Sequence, residues 1–123
     1  MDNTAVTMRV NAEGGPLVAE RVTTPAPDRG WVRVSVYASG VCYADIDTTQ
    51  ARGTSLPVTP GHEIAGVMAA VGADLEGWDV GDRVAVGWFG GSCGQCQFCR
   101  RGDVVHCAER KIPGVSCRPH SQS

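Results

Sequence analysis

Hydrophobic and polar positions alternate over several short segments of the chain. Within residues 30–39, Val32, Val34 and Val36 alternate with polar and aromatic side chains. A period of two predicts a strand, and we expect these three valines to lie together on a core face. The alternation is lost over residues 41–50, where we expect a single short helix.

The first part of the chain is predicted to form a β-hairpin. Residues 5–10 and 16–22 are rich in apolar and β-branched side chains, and the segment Glu13-Gly14-Gly15 between them has the composition of a turn. Residues 24–28 follow with two prolines, which cannot donate hydrogen bonds to a sheet. We therefore expect a loop after the hairpin.

Two further strands are predicted after the short helix. Residues 63–71 are apolar enough for a buried strand, and Val84 and Val86 restore the alternation within residues 80–88. Turns are expected at residues 74–79 and 80–83. The 16 glycines and 7 prolines suit short strands joined by tight turns, so the chain is predicted to be mainly β with few helices.

Composition and charge narrow the classes of function. The chain has 123 residues, of which 42% are hydrophobic and 20% charged, so we expect one globular domain. A formal net charge of -2 argues against nucleic acid or an anionic membrane as a partner. Neither a signal-peptide pattern nor an apolar run of membrane-spanning length is found, so we expect a cytoplasmic protein whose six cysteines are thiols or metal ligands.

The strongest motif is a run of four cysteines. Cys93, Cys96, Cys99 and Cys107 follow the spacing C-x2-C-x2-C-x7-C. Zinc binds four thiolates tetrahedrally, and a closed set of four protein ligands leaves no position for substrate, so the run predicts a structural zinc site. Two alternatives stay open, namely unligated thiols and an iron–sulfur cluster. The bacterial ferredoxin spacing matches the first three cysteines but continues with three residues and a Cys-Pro pair.

Further candidate ligands are dispersed along the chain. Cys42 and Asp45 lie close together, and His62 and Glu63 follow about twenty residues later. Taken singly, Cys42 is typical of a small buried hydrophobe and His62 of a hydrogen-bonded histidine. Together, a thiolate and an imidazole are two thirds of the Cys2His set that holds some catalytic zinc ions, and Asp45 could accept a hydrogen bond from the imidazole.

These motifs, in this order, resemble the zinc-dependent alcohol dehydrogenases of the medium-chain dehydrogenase/reductase superfamily. The resemblance covers roughly residues 7–116. It implies a mainly β, GroES-like, partly open β-barrel over residues 1–123, with a four-cysteine zinc lobe at about residues 90–111 and without the usual Rossmann domain. The motifs that carry it are Gly40-Val41-Cys42-x-x-Asp45, Pro60-Gly61-His62-Glu63-x-x-Gly66, Val80-Gly81-Asp82-Arg83-Val84 and the four-cysteine run.

The resemblance also implies a reaction and a set of residues. The reaction is oxidation of a small alcohol, or reduction of an aldehyde or ketone, with hydride passing to or from NAD or NADP while zinc polarises the oxygen. By matching position, Cys42 and His62 are catalytic zinc ligands, Glu63 lies beside that zinc and Asp45 orients His62. The four-cysteine run holds the structural zinc.

The sequence departs from the family pattern at several positions. Ala44 has no hydroxyl where many members carry the Ser or Thr of a proton relay, and the histidines frequent at the positions of Tyr43 and Asp47 are missing. A third catalytic zinc ligand is not evident, although Cys117 and His120 are candidates. The sequence has no G-x-G-x-x-G, phosphate-binding loop or H-E-x-x-H motif, so it indicates neither a nucleotide site nor a metalloprotease.

The family pattern stops at residues 117–123, where members usually continue into a strand. We therefore expect a truncated or frame-shifted product that is inactive by itself. Such a product would expose apolar strand edges and associate with itself, as a homo-oligomer or less specifically. The alternative function is a zinc-stabilised, non-catalytic binding module or remnant.

Overall fold

Antiparallel strands dominate the structure, a computed structural model that describes residues 3–50 and 56–115. The mainly β fold predicted from the sequence is confirmed, and all pairing between strands in these ranges is antiparallel. The elements of the described ranges, in chain order, are β1 (Thr4–Val10), β2 (Leu17–Thr23), β3 (Val32–Ser39), α1 (Tyr43–Gln50), β4 (Ile64–Val71), β5 (Arg83–Val86), α2 (Gln97–Arg100) and a 3-10 helix (Val104–His106).

β1 and β2 form the predicted hairpin and pair along their whole length. The turn between them is tight, because the Gly15 N–H donates to the Ala12 carbonyl at 2.9 Å. Gly14 has a φ of 65°, a left-handed conformation that glycine adopts without a steric penalty from a Cβ. The loop predicted over residues 24–28 is also confirmed, since these residues belong to neither a strand nor a helix.

β3, β4 and β5 form a second sheet with β4 at its centre. The connection between β4 and β5 turns where the sequence predicts it. There the Asp82 N–H donates to the Asp79 carbonyl at 3.1 Å, and Gly81 has a φ of 99°. The central position of β4 matters for function, because the segment that leads into β4 carries His62 and Glu63.

The prediction that the three valines of β3 share a core face is wrong. Val34 is half-buried, but Val32 and Val36 are 36% and 53% exposed. The pairing of β3 with β4 shifts its register between Arg33 and Val34 and again after Val36. Such irregularities interrupt the alternation of side chains between the two faces of a strand. The strand itself lies where the sequence predicts it.

The hydrophobic core is small. Val10 and Val58 exchange both backbone hydrogen bonds, at 2.9 and 3.0 Å, which ties the hairpin to the segment that precedes β4. Few apolar side chains in the described ranges are buried, so we expect metal binding to add stability in the cysteine-rich segment. Within residues 3–50 and 56–115, the buried apolar residues are Val10, Val58, Met68, Cys107 and Ile112.

α1 is the short helix predicted within residues 41–50. It begins directly after Cys42, whose carbonyl accepts a hydrogen bond from the Asp45 N–H at 3.0 Å. The sequence patterns do not predict two further helices of the described residues, of which α2 carries Cys99 and the 3-10 helix directly precedes Cys107. Within the described residues, no helix is long and apolar enough to cross a membrane.

Candidate metal centres

Antiparallel pairing of β3 with β4 brings Cys42, His62 and Glu63 together, and these three residues form the first centre. β3 ends beside the start of β4, and the Gly40 N–H continues the ladder by donating to the Glu63 carbonyl at 2.8 Å. Cys42 follows β3 and His62 precedes β4, so residues distant in sequence meet at one end of the sheet. The ligand atoms of Cys42, His62 and Glu63 all lie within 4.8 Å of one another.

Asp45 contacts both segments that carry these ligands. Its Oδ1 lies 3.0 Å from His62 Nδ1, and its Oδ2 accepts a hydrogen bond from the Cys42 N–H at 2.9 Å. Both Asp45 and His62 are buried. A carboxylate on Nδ1 fixes the orientation of the imidazole and leaves Nε2 as its ligand atom.

The Glu63 side chain folds over Gly40. A Cβ added at Gly40 would overlap the Glu63 carboxylate and lie 3.1 Å from Glu63 Cβ. Glycine therefore leaves the space in which the carboxylate lies beside Cys42 and His62. In the sequence, Gly40 stands out only as part of a motif, and its contact with Glu63 gives no local signal because the two residues are far apart in sequence.

The donor set of this first centre fits zinc. A thiolate, an imidazole and a carboxylate are the three side-chain types that zinc binds in proteins. Cys117 and His120, the two further ligand candidates, lie outside the described residues, as does the segment 117–123. Ala44, Tyr43 and Asp47, where the sequence departs from the family pattern, are exposed on α1.

The four cysteines of the run also converge and form the second centre, with their sulfur atoms within 4.8 Å of one another. Cys93 Sγ accepts a hydrogen bond from the Cys96 N–H, and Cys96 Sγ accepts one from the Cys99 N–H, both at 3.4 Å. Cys107 follows the 3-10 helix, is fully buried and accepts from the Cys93 N–H at 3.5 Å. Backbone amides aimed at sulfur stabilise the thiolate form that binds metal.

The spacing of the sulfurs fits a single tetrahedral ion. Cys93 Sγ and Cys99 Sγ are 3.9 Å apart. Two thiolates bound to one zinc at about 2.3 Å in tetrahedral geometry lie about 3.8 Å from each other. In a four-iron cluster each thiolate binds a different iron, which requires wider separation. The arrangement therefore favours one metal ion over such a cluster.

The thiols of this second centre differ in pKa. A hydrogen bond from the Ser92 hydroxyl is the largest effect that lowers the pKa of Cys99 to about 6. The Cys99 backbone amide favours the Cys96 thiolate, but burial and the sulfurs of Cys99 and Cys93 outweigh it and raise the pKa of Cys96 to about 11. Backbone hydrogen bonds, that of Gln95 first, lower the pKa of Cys93. The shift in pKa thus favours the thiolate form of Cys99. Ser92 belongs to none of the motifs found in the sequence.

A polar cluster joins α2 to the 3-10 helix. Asp103 Oδ1 lies 2.7 Å from His106 Nδ1, and Asp103 Oδ2 accepts from Arg101 at 3.2 Å. These two partners, His106 first, hold the pKa of the Asp103 carboxyl below its usual value. The Arg101 guanidinium also lies 4.8 Å from the centroid of the Phe98 ring. The contacts hold together the segments that carry the third and fourth cysteines.

Comparisons with known proteins match this chain to alcohol dehydrogenases. A family model described as the alcohol dehydrogenase GroES-like domain matches residues 28–118. Alcohol dehydrogenase 1 of Emericella nidulans is 35% identical over 106 residues, which span 84% of this chain and 30% of that protein. An alcohol dehydrogenase structure from E. coli CFT073, complexed with NADH, matches with a TM-score of 0.82 and 31% identity over 94% of this chain and 34% of that one.

A more distant solved structure carries metal ions. The thermostable alcohol dehydrogenase from Pyrobaculum aerophilum, solved with bound cobalt and zinc, matches with a TM-score of 0.81 and 26% identity. The match covers 94% of this chain and 36% of that one. The chain thus spans about a third of the length of the proteins it matches.

Proposed function

The chain belongs to the alcohol dehydrogenase GroES-like domain family, and from this premise we propose that it is the zinc-binding catalytic domain of an alcohol dehydrogenase. We assign residues 1–123 to this domain, with a zinc lobe at about residues 90–111. The reaction is interconversion of a small alcohol with an aldehyde or ketone, with hydride transfer to or from NAD or NADP. The proposal depends above all on the convergence of Cys42, His62 and Glu63 beside Asp45.

Each residue of the first centre has a role under this proposal. Cys42, His62 and Glu63 would hold the catalytic metal, and Asp45 keeps the His62 ring in the tautomer and orientation that direct Nε2 at it. A zinc ion bound there supplies a Lewis acid for the oxygen of the alcohol or carbonyl substrate. His62 and Asp45 are both buried, so the pair is shielded from competing water.

The second centre is proposed to be structural. Four thiolates complete a tetrahedral zinc shell and leave no ligand position for substrate. The described part of the lobe buries little apolar surface, so the metal would supply much of its stability. A reducing compartment keeps these thiols available for metal, and we therefore propose the cytoplasm as the location.

Binding of the dinucleotide is assigned to a separate domain. The sequence has no G-x-G-x-x-G motif, in which glycines let the backbone approach the pyrophosphate. We propose that turnover needs a nucleotide-binding domain, in the same polypeptide or another, and that these 123 residues alone do not oxidise alcohols.

Metal analysis of the purified protein tests the proposal. We expect two zinc ions per chain in the wild type and one in Cys42→Ser. With Co2+ as a spectroscopic probe, ethanol or acetaldehyde should shift the absorption of the wild type and leave that of Cys42→Ser unchanged. A single zinc in both proteins, with no effect of ethanol or acetaldehyde, would instead support the non-catalytic zinc-stabilised module.

A further inference from the structure

Two glycines join the end of the cysteine-rich lobe to the segment that carries His62. Gly114 is buried, and a Cβ placed on it would lie 2.7 Å from both the backbone N and the backbone O of Gly61. These are backbone atoms, which cannot rotate away as the end of a flexible side chain can. Gly61 directly precedes His62, so any residue larger than glycine at position 114 must displace the backbone next to a metal ligand.

The conformation of both glycines fits this close approach. Gly61 has a φ of 118° and Gly114 a φ of 76°, values that are unfavourable for residues with a Cβ. Gly114 lies in a turn closed by the Val115 N–H, which donates to the carbonyl of the buried Ile112 at 3.1 Å. The turn is therefore held from the side of the lobe.

The two ends of the lobe are fastened to each other just before this turn. The Gly90 N–H donates to the Lys111 carbonyl, and the Lys111 N–H donates to the Gly91 carbonyl, both at 2.8 Å. Gly90 also packs against the ring of Pro113, since a Cβ on Gly90 would lie 2.9 Å from Pro113 Cδ. Upstream, the Arg110 N–H donates to the Cys107 carbonyl at 3.2 Å. Backbone hydrogen bonds, together with the contact between Gly90 and the Pro113 ring, thus connect the fourth cysteine with the turn that carries Gly114.

We infer that Gly114 is a positioning residue for His62, through which the four-cysteine lobe sets the geometry of the first metal centre. The inference rests on the proposed function, because it concerns the same Cys42, His62 and Glu63 site. Metal in the lobe holds Cys107 and the segment after it, and Gly114 then holds Gly61 and the start of His62. The coupling is reciprocal by thermodynamic linkage, so metal at either centre raises the affinity of the other.

Gly114→Ala, compared with Gly30→Ala, tests this role. Gly30 has the same φ of 76° but nothing within 4 Å of the position of a Cβ, so its substitution adds the same backbone strain without the contact. We expect the Co2+ affinity of the first centre to fall about tenfold or more in Gly114→Ala, the usual effect of losing a residue that orients a ligand. Lobe affinity should change far less, and Gly30→Ala should bind Co2+ as the wild type does.

The Co2+ absorption of each centre is assigned with two single variants of the wild-type chain. Cys42→Ser removes a ligand of the first centre, and Cys107→Ser removes a ligand of the second. Pro113→Ala provides a milder variant that keeps both glycines and removes the packing against Gly90. It should also lower the Co2+ affinity of the first centre, and it tests the positioning role if Gly114→Ala does not fold. Two results together would overturn the positioning role. The first is a wild-type Co2+ affinity of the first centre in Pro113→Ala. The second is an equal Co2+ affinity in Gly114→Ala and Gly30→Ala, wherever these variants fold.

Failure of the proposed function gives a different result. If Cys42→Ser changes no Co2+ binding, the first centre is not a metal site and the proposed function is wrong. Hydrogen exchange then still tests whether Gly114 positions the segment after Gly61. The Gly40 N–H donates to the Glu63 carbonyl, so its exchange rate reports the position of that segment. Faster exchange at Gly40 in Gly114→Ala than in Gly30→Ala supports this role of Gly114, and equal rates refute it.

Discussion

Asp45 Oδ1 and His62 Nδ1 lie 3.0 Å apart, and both residues are buried near the end of β3 and the start of β4. The other oxygen of the same carboxylate accepts the Cys42 N–H at 2.9 Å. One carboxylate thus fixes the imidazole of one candidate ligand and the backbone of another. This double contact explains how residues on two segments reach a common geometry without a large core around them.

Asp45→Asn should weaken the first metal centre. His62 and the Cys42 N–H contact different oxygens of Asp45, and an amide replaces one of these oxygens with a donor nitrogen, so one of the two contacts loses its acceptor. We expect the zinc affinity of this centre to fall by about 10- to 100-fold. Zinc competition titration measures the change, with Asp47→Asn as the control because Asp47 is exposed on the same helix. Equal affinities in the two variants would contradict an orienting role for Asp45.

Features set by local sequence were predictable. The hairpin, the loop after it, α1 and the turn at Asp79–Asp82 each depend on a few neighbouring residues, and the close spacing of the four cysteines makes their convergence almost a local property. The residue types of Cys42 and His62 made them candidate ligands of one zinc ion, and the resemblance of the motifs to a known family turned this into an expectation that they converge. Pattern alone could not supply it, since it depends on the register between two strands.

What the sequence did not predict depends on contacts between distant segments. The register shifts in β3 arise from pairing with β4, which no alternation within β3 reveals. The Glu63 carboxylate over Gly40 and the contact of Gly61 with Gly114 each join residues more than twenty positions apart. Ser92 gave no signal because a serine beside a cysteine is common, and its effect depends on where the Cys99 sulfur lies.

Cys107→Ser should remove one zinc per chain and destabilise the lobe. Cys107 is fully buried and accepts a hydrogen bond from the Cys93 backbone, so its loss leaves three thiolates and a disturbed interior. We expect zinc content to fall from two to one and the unfolding transition to move to lower temperature. Mass spectrometry and calorimetry measure both effects. Iron in the wild-type protein, visible as brown colour, would argue for the iron–sulfur alternative.

Ser92→Ala should raise the pKa of Cys99. The Ser92 hydroxyl donates to the Cys99 sulfur and is the largest effect that lowers the pKa of this thiol from 9.0 to about 6. Because the shift is downward, the thiolate persists above pH 6 and is lost as the pH falls through that value. Titration of thiolate absorbance in the metal-free chain should show a transition near pH 6 that moves towards higher pH in the variant. An unchanged transition would contradict the role of the hydroxyl.

Gly40→Ala should weaken the first metal centre by displacing the Glu63 carboxylate. Gly40 is not at positive φ, so alanine adds no backbone strain there, but its Cβ would overlap that carboxylate and lie 3.1 Å from Glu63 Cβ. The carboxylate can rotate away, so we expect the fold to survive and the zinc affinity to fall about tenfold. Gly87→Ala is the matched control, because a Cβ at Gly87 has nothing within 4 Å.

A double-mutant cycle shows whether Gly40 acts through Glu63. In a Glu63→Ala background the carboxylate that alanine at position 40 would displace is gone, so Gly40→Ala should cause no further loss of zinc affinity. Additive losses in the double variant would mean that Gly40→Ala disturbs the Cys42 segment directly, because Gly40 lies only two residues before that ligand. The interaction energy between the two substitutions therefore separates an effect on the Glu63 carboxylate from an effect on Cys42.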